Sequence, residues 1–338
     1  MKRQLIDPVF IMSSERSGSN LLRTLLDNHS ALYGPRAPQV MKTFEGILPY
    51  YANVNEKLPT KEIFEDMKQV VNHPFHDWKI DGGFAEVAPG GESFFDLWQG
   101  FYVEILSRTD AKSIVCKENN IFEFAFEILA AMPTAKFIYL YRDPRDVGAS
   151  WMKVPLGFKN VNQASTNWHR EQMACIKAIR NYNLPATLVS YEDLVEDTPG
   201  VMSRVLKDLN LEVEDACFQT EGSKNKDLKW NKYWENLDKP VMKKNAGKYK
   251  ISLSGEEVKI IETRCKDSMA ILGYERNNTD DWKSPTPNFI DKLYYSKFNK
   301  KKDVYKNKVV KAEVNAVLLD RAKLVNQIRN KRKSEWKA

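Results

Sequence analysis

Four short apolar runs punctuate the chain, at Pro8–Met12, Ser113–Lys117, Lys136–Tyr141 and residues 186–190. Each is too short for a helix, and none alternates strictly between polar and apolar positions. Such runs read as strands buried on both faces. The stretches between them place apolar residues three and four apart. Leu21, Leu22, Leu25 and Leu26 form one such stripe directly after the first run. Strands that alternate with amphipathic helices predict βαβ units, and so an α/β fold: a central, mostly parallel sheet with helices on both faces, in three layers. Ligands bind such folds at the carboxyl ends of the strands, where residues 13–19, 117–119 and 142–150 are expected to converge.

The segment after the first strand is small and polar: Ser13-Ser14-Glu15-Arg16-Ser17-Gly18-Ser19, with Asn20 opening the helix. A strand, a small-residue loop and a helix N-terminus together form an anion site, because free backbone N–H groups and the helix dipole face the ligand. Gly18 permits close backbone approach. Arg16 brings a fixed positive charge, and Ser17 and Ser19 bring hydroxyl donors. The Gly-Lys-[Ser/Thr] of the common nucleotide-triphosphate loop is absent. After the third strand comes Arg142-Asp143-Pro144-Arg145-Asp146-Val147, and Ser150 follows eight residues after Arg142.

Arg16-Ser17-Gly18-Ser19 resembles the 5′-phosphosulfate loop of sulfotransferases that use 3′-phosphoadenosine 5′-phosphosulfate (PAPS). Arg142 and Ser150 resemble, in type and spacing, the pair that holds the 3′-phosphate in that family. Leu188–Leu194 resembles the strand ending in Tyr-Glu-Asp-Leu, which implies that Tyr191 lies near the adenine. Lys243-Lys244-Asn245-Ala246-Gly247-Lys248 resembles the basic loop that closes over the 3′-phosphate, although the Arg and Gly found at its start in some members are replaced here. The resemblance spans about residues 8–275. It implies a three-layer P-loop-like fold, PAPS as cofactor, adenosine 3′,5′-bisphosphate as product, and a hydroxyl or amine of an unidentified acceptor as the sulfuryl-receiving group.

Sulfuryl transfer builds negative charge on the bridging and equatorial oxygens, so fixed cations there favour the transition state. Arg16 is placed for the leaving phosphate. Lys117, at the end of its strand, resembles the family's sulfate-contacting lysine. An acceptor hydroxyl also needs a base. Where small-molecule members carry a His two residues after that lysine, this chain has Asn119, and no acid occupies Tyr33–Gln39. Glu118, Glu45, His73 and His76 remain candidates, with Asp77 able to orient His76. No metal ligand set is expected around these histidines, since no third ligand lies nearby.

With 338 residues and 42% hydrophobic residues, the chain can bury one large domain plus additions. Four scattered cysteines, without a C-x-x-C pair, suggest free thiols in a reducing, cytoplasmic compartment. No run is long enough to span a bilayer, and Lys2 and Arg3 precede too few apolar residues for a secretory or anchoring segment. From Phe289 onward the chain carries 15 Lys or Arg against 5 Asp or Glu, about +10. The whole chain is +7, which leaves the body near −3. Residues 1–283 are therefore assigned to the sulfotransferase domain and 284–338 to a basic, mainly helical extension after Ser284-Pro285-Thr286-Pro287. Val317, Leu318, Leu324, Val325 and Ile328 give that extension a helical stripe, for packing on the domain or on a second subunit. The expected partners are a small-molecule, carbohydrate or lipid acceptor and no nucleic acid. Peripheral membrane contact through the basic tail and homo-oligomer formation stay open.

Aromatics in residues 40–110, Phe94, Phe95, Trp98, Phe101 and Tyr102 among them, either contact the acceptor or form core. Trp230 and Trp234, with Lys226, Lys229 and Lys232, suggest a basic flap. Two other functions fit a nucleotide pocket: a phosphotransferase, which should show Gly-Lys-[Ser/Thr] and a metal-binding acid, and a non-catalytic nucleotide-binding relative.

Overall fold

The computed structural model describes residues 5–53, 55–76, 78–154, 160–221, 240–242, 245–283 and 312–337. Its centre is a five-stranded sheet: β1 (Val9–Met12), β2 (Leu32–Tyr33), β3 (Ser113–Cys116), β4 (Lys136–Tyr141) and β5 (Ala186–Ser190), in the order β2-β3-β1-β4-β5. Every neighbouring pair is parallel, with Phe10 opposite Cys116 on one side and Phe137 on the other. The four apolar runs are four of these strands. The two-residue β2 is an addition that has no hydrophobic pattern of its own.

Strand alternation sorts the core into two layers. Phe10, Met12, Ile114, Cys116, Phe137 and Tyr139 face one layer, while Val9, Ile11, Val115, Ile138 and Leu140 face the other. That is the period of two expected when both faces are covered. Leu22, Leu25 and Leu26 of α1 (Ser19–Asp27) are fully buried in the second layer. The first layer is closed by α2 (Val40–Phe44), α3 (Thr60–Val71) and α4 (Phe94–Leu106). Phe94, Phe95, Trp98, Phe101 and Tyr102 of α4 are all core, and Trp98 stacks on Phe10 with ring centroids 5.5 Å apart. The aromatics Trp230 and Trp234, with Lys226, Lys229 and Lys232, lie outside the described residues.

After β4 come α5 (Pro144–Lys153) and the long α6 (Val161–Tyr182). Asp143 caps α5 by accepting the Arg145 N–H at 2.8 Å, and Pro144 occupies the first turn.

The C-terminal helix Ala312–Lys337 lies across α3 and the Leu48–Tyr50 turn. Ile328 is buried in the first core layer. Arg332 bonds Asp66 at 2.6 Å and Glu62 at 2.5 Å, and Trp336 meets Tyr50 edge-on. The helical extension anticipated from the sequence is thus present and packs on the domain. Among the described residues no helix is long and apolar enough to cross a membrane.

Candidate functional site

The loop that leaves β1 opens at the carboxyl edge of the sheet. Ser14 and Ser17 share a hydrogen bond of 2.7 Å that tightens it, and both are buried. Arg16 and Gly18 adopt left-handed backbone, at φ 70° and 96°. At Gly18 this is compulsory: a Cβ there would lie 2.3 and 2.5 Å from ring carbons of Tyr191. Helix α1 then starts at Ser19, with Asn20 in its first turn and no side chain capping it. Its leading N–H groups therefore remain for an anion.

The loop after β4 meets this one directly. Arg16 Nε donates to Ser150 Oγ at 3.1 Å, and an Arg142 terminal nitrogen donates to the Arg16 carbonyl at 3.3 Å. Arg142 lies 4.0 Å over the ring of Tyr191, whose edge meets Gly18. Arg16, Ser17, Gly18, Ser19, Arg142, Ser150 and Tyr191 are thereby brought into one cluster. One face of the Tyr191 ring is covered by the Arg142 guanidinium.

Two residues that the sequence did not single out hold a third segment against this cluster. Asp146, in the first turn of α5, accepts the N–H groups of Gly247 at 2.6 Å and Tyr249 at 2.8 Å, and lies 3.8 Å from Arg142. Asn245 accepts from Arg142 through its carbonyl at 3.0 Å and donates its side-chain amide to the Tyr191 hydroxyl. Gly247, at φ 73°, is thereby held to the same Asp146 that faces Arg142, and Lys248 follows it in the chain. Lys243 and Lys244 lie outside the described residues.

The chemistry of this cluster suits an anion. Arg142 Nε is buried and, among the described residues, has no hydrogen-bond partner. The Arg16 guanidinium is disfavoured first by burial and then by repulsion from Arg142, with Glu15 opposing both. An anion between the two arginines would satisfy the orphan donor and relieve the repulsion.

Lys117 follows β3 directly, and its ammonium donates to Asn119 Oδ1 at 3.3 Å. Burial, then Arg23, Lys42 and Arg16, against the pull of Glu15, push it down to about 8. Asn119 Nδ2 donates to Glu15 Oε1 at 2.8 Å, and Lys42 Nζ reaches the same oxygen at 2.5 Å. Glu15 thus links the β1 loop, α2 and the β3 loop.

The remaining candidates lie apart from this cluster. Glu118 is buried under α2 and accepts three hydrogen bonds, from the Met41 N–H, Trp98 Nε1 and the Tyr102 hydroxyl, at 2.7, 3.0 and 3.0 Å. Burial pushes its carboxyl up. His76 is buried against the C-terminal helix, where Arg321 Nε donates to its Nε2 at 2.9 Å. Burial and the charges of Arg321, Arg36 and His73 push the imidazole down to about 2, so it stays neutral. Asp77, its expected orienting partner, lies outside the described residues. His73 contacts Asp320 at 3.2 Å, and Glu45 accepts from Asn120 at 2.8 Å.

With this geometry in view, the kinship of the chain is clear. The sulfotransferase family profile matches residues 8–215, which takes in β1, the Arg16 loop, Lys117, Arg142 and Tyr191. The chain belongs to the sulfotransferase family. The fold is that of the sulfotransferase domain from the curacin biosynthetic pathway, at 20% identity and a TM-score of 0.52 over 81% of this chain and 99% of that one. The sulfotransferase domain of a Synechococcus olefin synthase is 19% identical, at 0.46 over 78% and 97% of the two chains. A Mycobacterium avium sulfotransferase is 14% identical, at 0.46 over 81% and 78%. No match was found among curated protein sequences. Family and fold support sulfuryl transfer as the chemistry of this chain.

Proposed function

We propose that the protein is a PAPS-dependent sulfotransferase acting on a hydroxyl or amine of a small-molecule, carbohydrate or lipid acceptor. The observation that carries this reading is the direct joining of the two anion loops. Arg16 bonds Ser150, Arg142 bonds the Arg16 carbonyl, and Arg142 Nε is buried with no partner among the described residues. A mononucleotide with a single phosphate would engage only one of the two loops.

The residues divide the work as follows. The backbone of 16–19 and the Arg16 guanidinium hold the 5′-phosphate. Arg142, Ser150 and the segment tethered by Asp146 hold the 3′-phosphate. The bound donor supplies an activated sulfuryl group. Lys117 and Arg16 are fixed before reaction where negative charge develops, so they need not reorganise as it does. Burial of the four free cysteines supports a reducing, cytoplasmic setting for the enzyme.

The test is a thermal-shift titration with adenosine 3′,5′-bisphosphate beside AMP and ATP, on the wild type and on Arg142→Ala. A ligand that binds only the folded state raises Tm with concentration. The expected result is a rise selective for the bisphosphate and abolished in Arg142→Ala. Equal shifts from AMP, or an unchanged rise in the variant, would refute the assignment.

A further inference from the structure

We infer that Glu15 is the general base, the group that accepts the proton of the acceptor hydroxyl. The inference rests on the PAPS-dependent reading above. It supplies the one role that the sequence pattern leaves vacant, since Asn119 stands where small-molecule members carry a histidine.

Asn119 is not idle in that place. Its amide donates to Glu15 Oε1 at 2.8 Å while its carbonyl oxygen accepts from Lys117 at 3.3 Å. Lys42 holds the same Glu15 oxygen at 2.5 Å. One carboxylate oxygen is thus pinned from two sides, by elements 27 and 104 residues away in the chain. Among the described residues no hydrogen bond reaches Oε2, and the side chain keeps 30% of its surface accessible. The carboxylate sits one residue before Arg16 and close enough to Lys117 to raise its basicity. A base must lie within hydrogen-bond reach of the proton that it takes, beside the cations that meet the developing charge.

The other candidates are occupied. Glu118 is buried beneath three donors, His76 is held neutral against Arg321, and Glu45 is bonded to Asn120. His73 is turned to Asp320 at 3.2 Å, and among the described residues Glu171 on α6 also competes. It is buried, its Oε2 has no partner, and burial together with Glu15 pushes it up to about 7. Among the described residues its ion pair is with Arg170 at 3.8 Å, and Asn167 hydrogen-bonds the carboxylate.

The step balances simply. The acceptor oxygen bonds sulfur with its own electron pair, and its proton passes to Glu15 Oε2. The bridging S–O bond breaks, and that pair leaves on the 5′-phosphate of the nucleotide. Glu15 then returns the proton to water. Lys42 and Asn119 act as positioning residues: both hold Glu15 Oε1, and Asn119 ties that carboxylate to Lys117.

The experiment compares wild type, Glu15→Gln, Glu15→Asp and Glu171→Gln. Each is titrated with adenosine 3′,5′-bisphosphate by thermal shift. Each is then assayed for PAPS consumption with water and with p-nitrophenol, a phenol already largely ionised at mildly alkaline pH. Glu15→Gln should keep the bisphosphate shift and lose about 10²-fold or more of its turnover with water. Its loss should be smaller with p-nitrophenol, Glu15→Asp should recover part of it, and Glu171→Gln should stay near wild type. Equal turnover in wild type and Glu15→Gln, including none in either, would overturn the inference. So would a Glu15→Gln protein that no longer responds to the bisphosphate, which would make Glu15 a support of the loop, or a loss in Glu171→Gln as large as in Glu15→Gln. A wild type that ignores the bisphosphate would instead overturn the donor assignment.

Discussion

Gly18→Ala is the sharpest perturbation that the site offers. Residue 18 sits at φ 96°, where an L-residue costs about 1–2 kcal/mol. The added methyl would also lie 2.3 Å from a Tyr191 ring carbon, well inside contact. Tyr191 cannot swing away freely, because Arg142 covers its ring at 4.0 Å and Asn245 bonds its hydroxyl. Overpacking of this kind costs about 1–3 kcal/mol, so the total is roughly 2–5 kcal/mol. With an unfolding entropy of about 2 cal/mol/K per residue, that corresponds to a Tm roughly 3–7 °C lower for a chain of this length. The strain falls on Arg142 and the Arg16 carbonyl, so affinity for the bisphosphate should drop with stability. Tyr191→Ala in the same background removes the clash and leaves only the backbone cost, so the two substitutions should be less than additive. Thermal melts with and without the bisphosphate measure both effects. A Gly18→Ala protein within about 0.5 kcal/mol of wild type, with full nucleotide response, would refute the reasoning.

Lys117 gives a pH prediction. Its folded value, about 8, lies below the ordinary lysine range, and an anion alongside would raise it. Binding of the bisphosphate with sulfate then takes up a proton, so affinity should be flat below pH 7 and fall as pH rises past about 8; calorimetry in two buffers of different ionisation heat would show the uptake, and a pH-independent affinity would contradict it. Arg332→Ala should cost about 3 kcal/mol, because it strands the buried Asp66 carboxylate, and should leave nucleotide binding intact, as read by denaturant melts and the bisphosphate shift. Glu118→Gln should cost about 2 kcal/mol, since an amide turns an N–H₂ toward one or more of three donors; a melt as stable as wild type would contradict the buried-acceptor role.

Much of the sheet was legible because its strands are buried on both faces and so read as uninterrupted apolar runs. β2 was not, since Leu32 and Tyr33 are too few to carry a period and are strand only by pairing with Ser113 and Ile114. The meeting of Arg16, Gly18, Arg142 and Ser150 was legible because the family resemblance ties residue type to local spacing. Glu15 and Asn245 carry no local pattern, and Asp146 belongs to the Arg142–Val147 run without showing there what it binds. Glu15 looks like one more polar loop residue until Lys42 and Asn119 close on it, and Asp146 looks like an ordinary first-turn acid until Gly247 and Tyr249 dock there. His76 shows the converse. Its sequence context suggested chemistry, but Arg321 reaches it from 245 residues away. The basic extension was legible as a packed helix from its apolar stripe, but the pairing of Arg332 with Asp66 and Glu62 was not, because partners 266 and 270 residues away leave no local pattern.

The central claim is that one nucleotide with two phosphates bridges the β1 and β4 loops. A crystal structure with adenosine 3′,5′-bisphosphate tests it most directly. The account predicts the 5′-phosphate on the backbone N–H groups of residues 16–19 and the 3′-phosphate on Arg142 Nε and the Ser150 hydroxyl. A bisphosphate bound with neither phosphate on Arg142, or bound away from the carboxyl edge of the sheet, would contradict it.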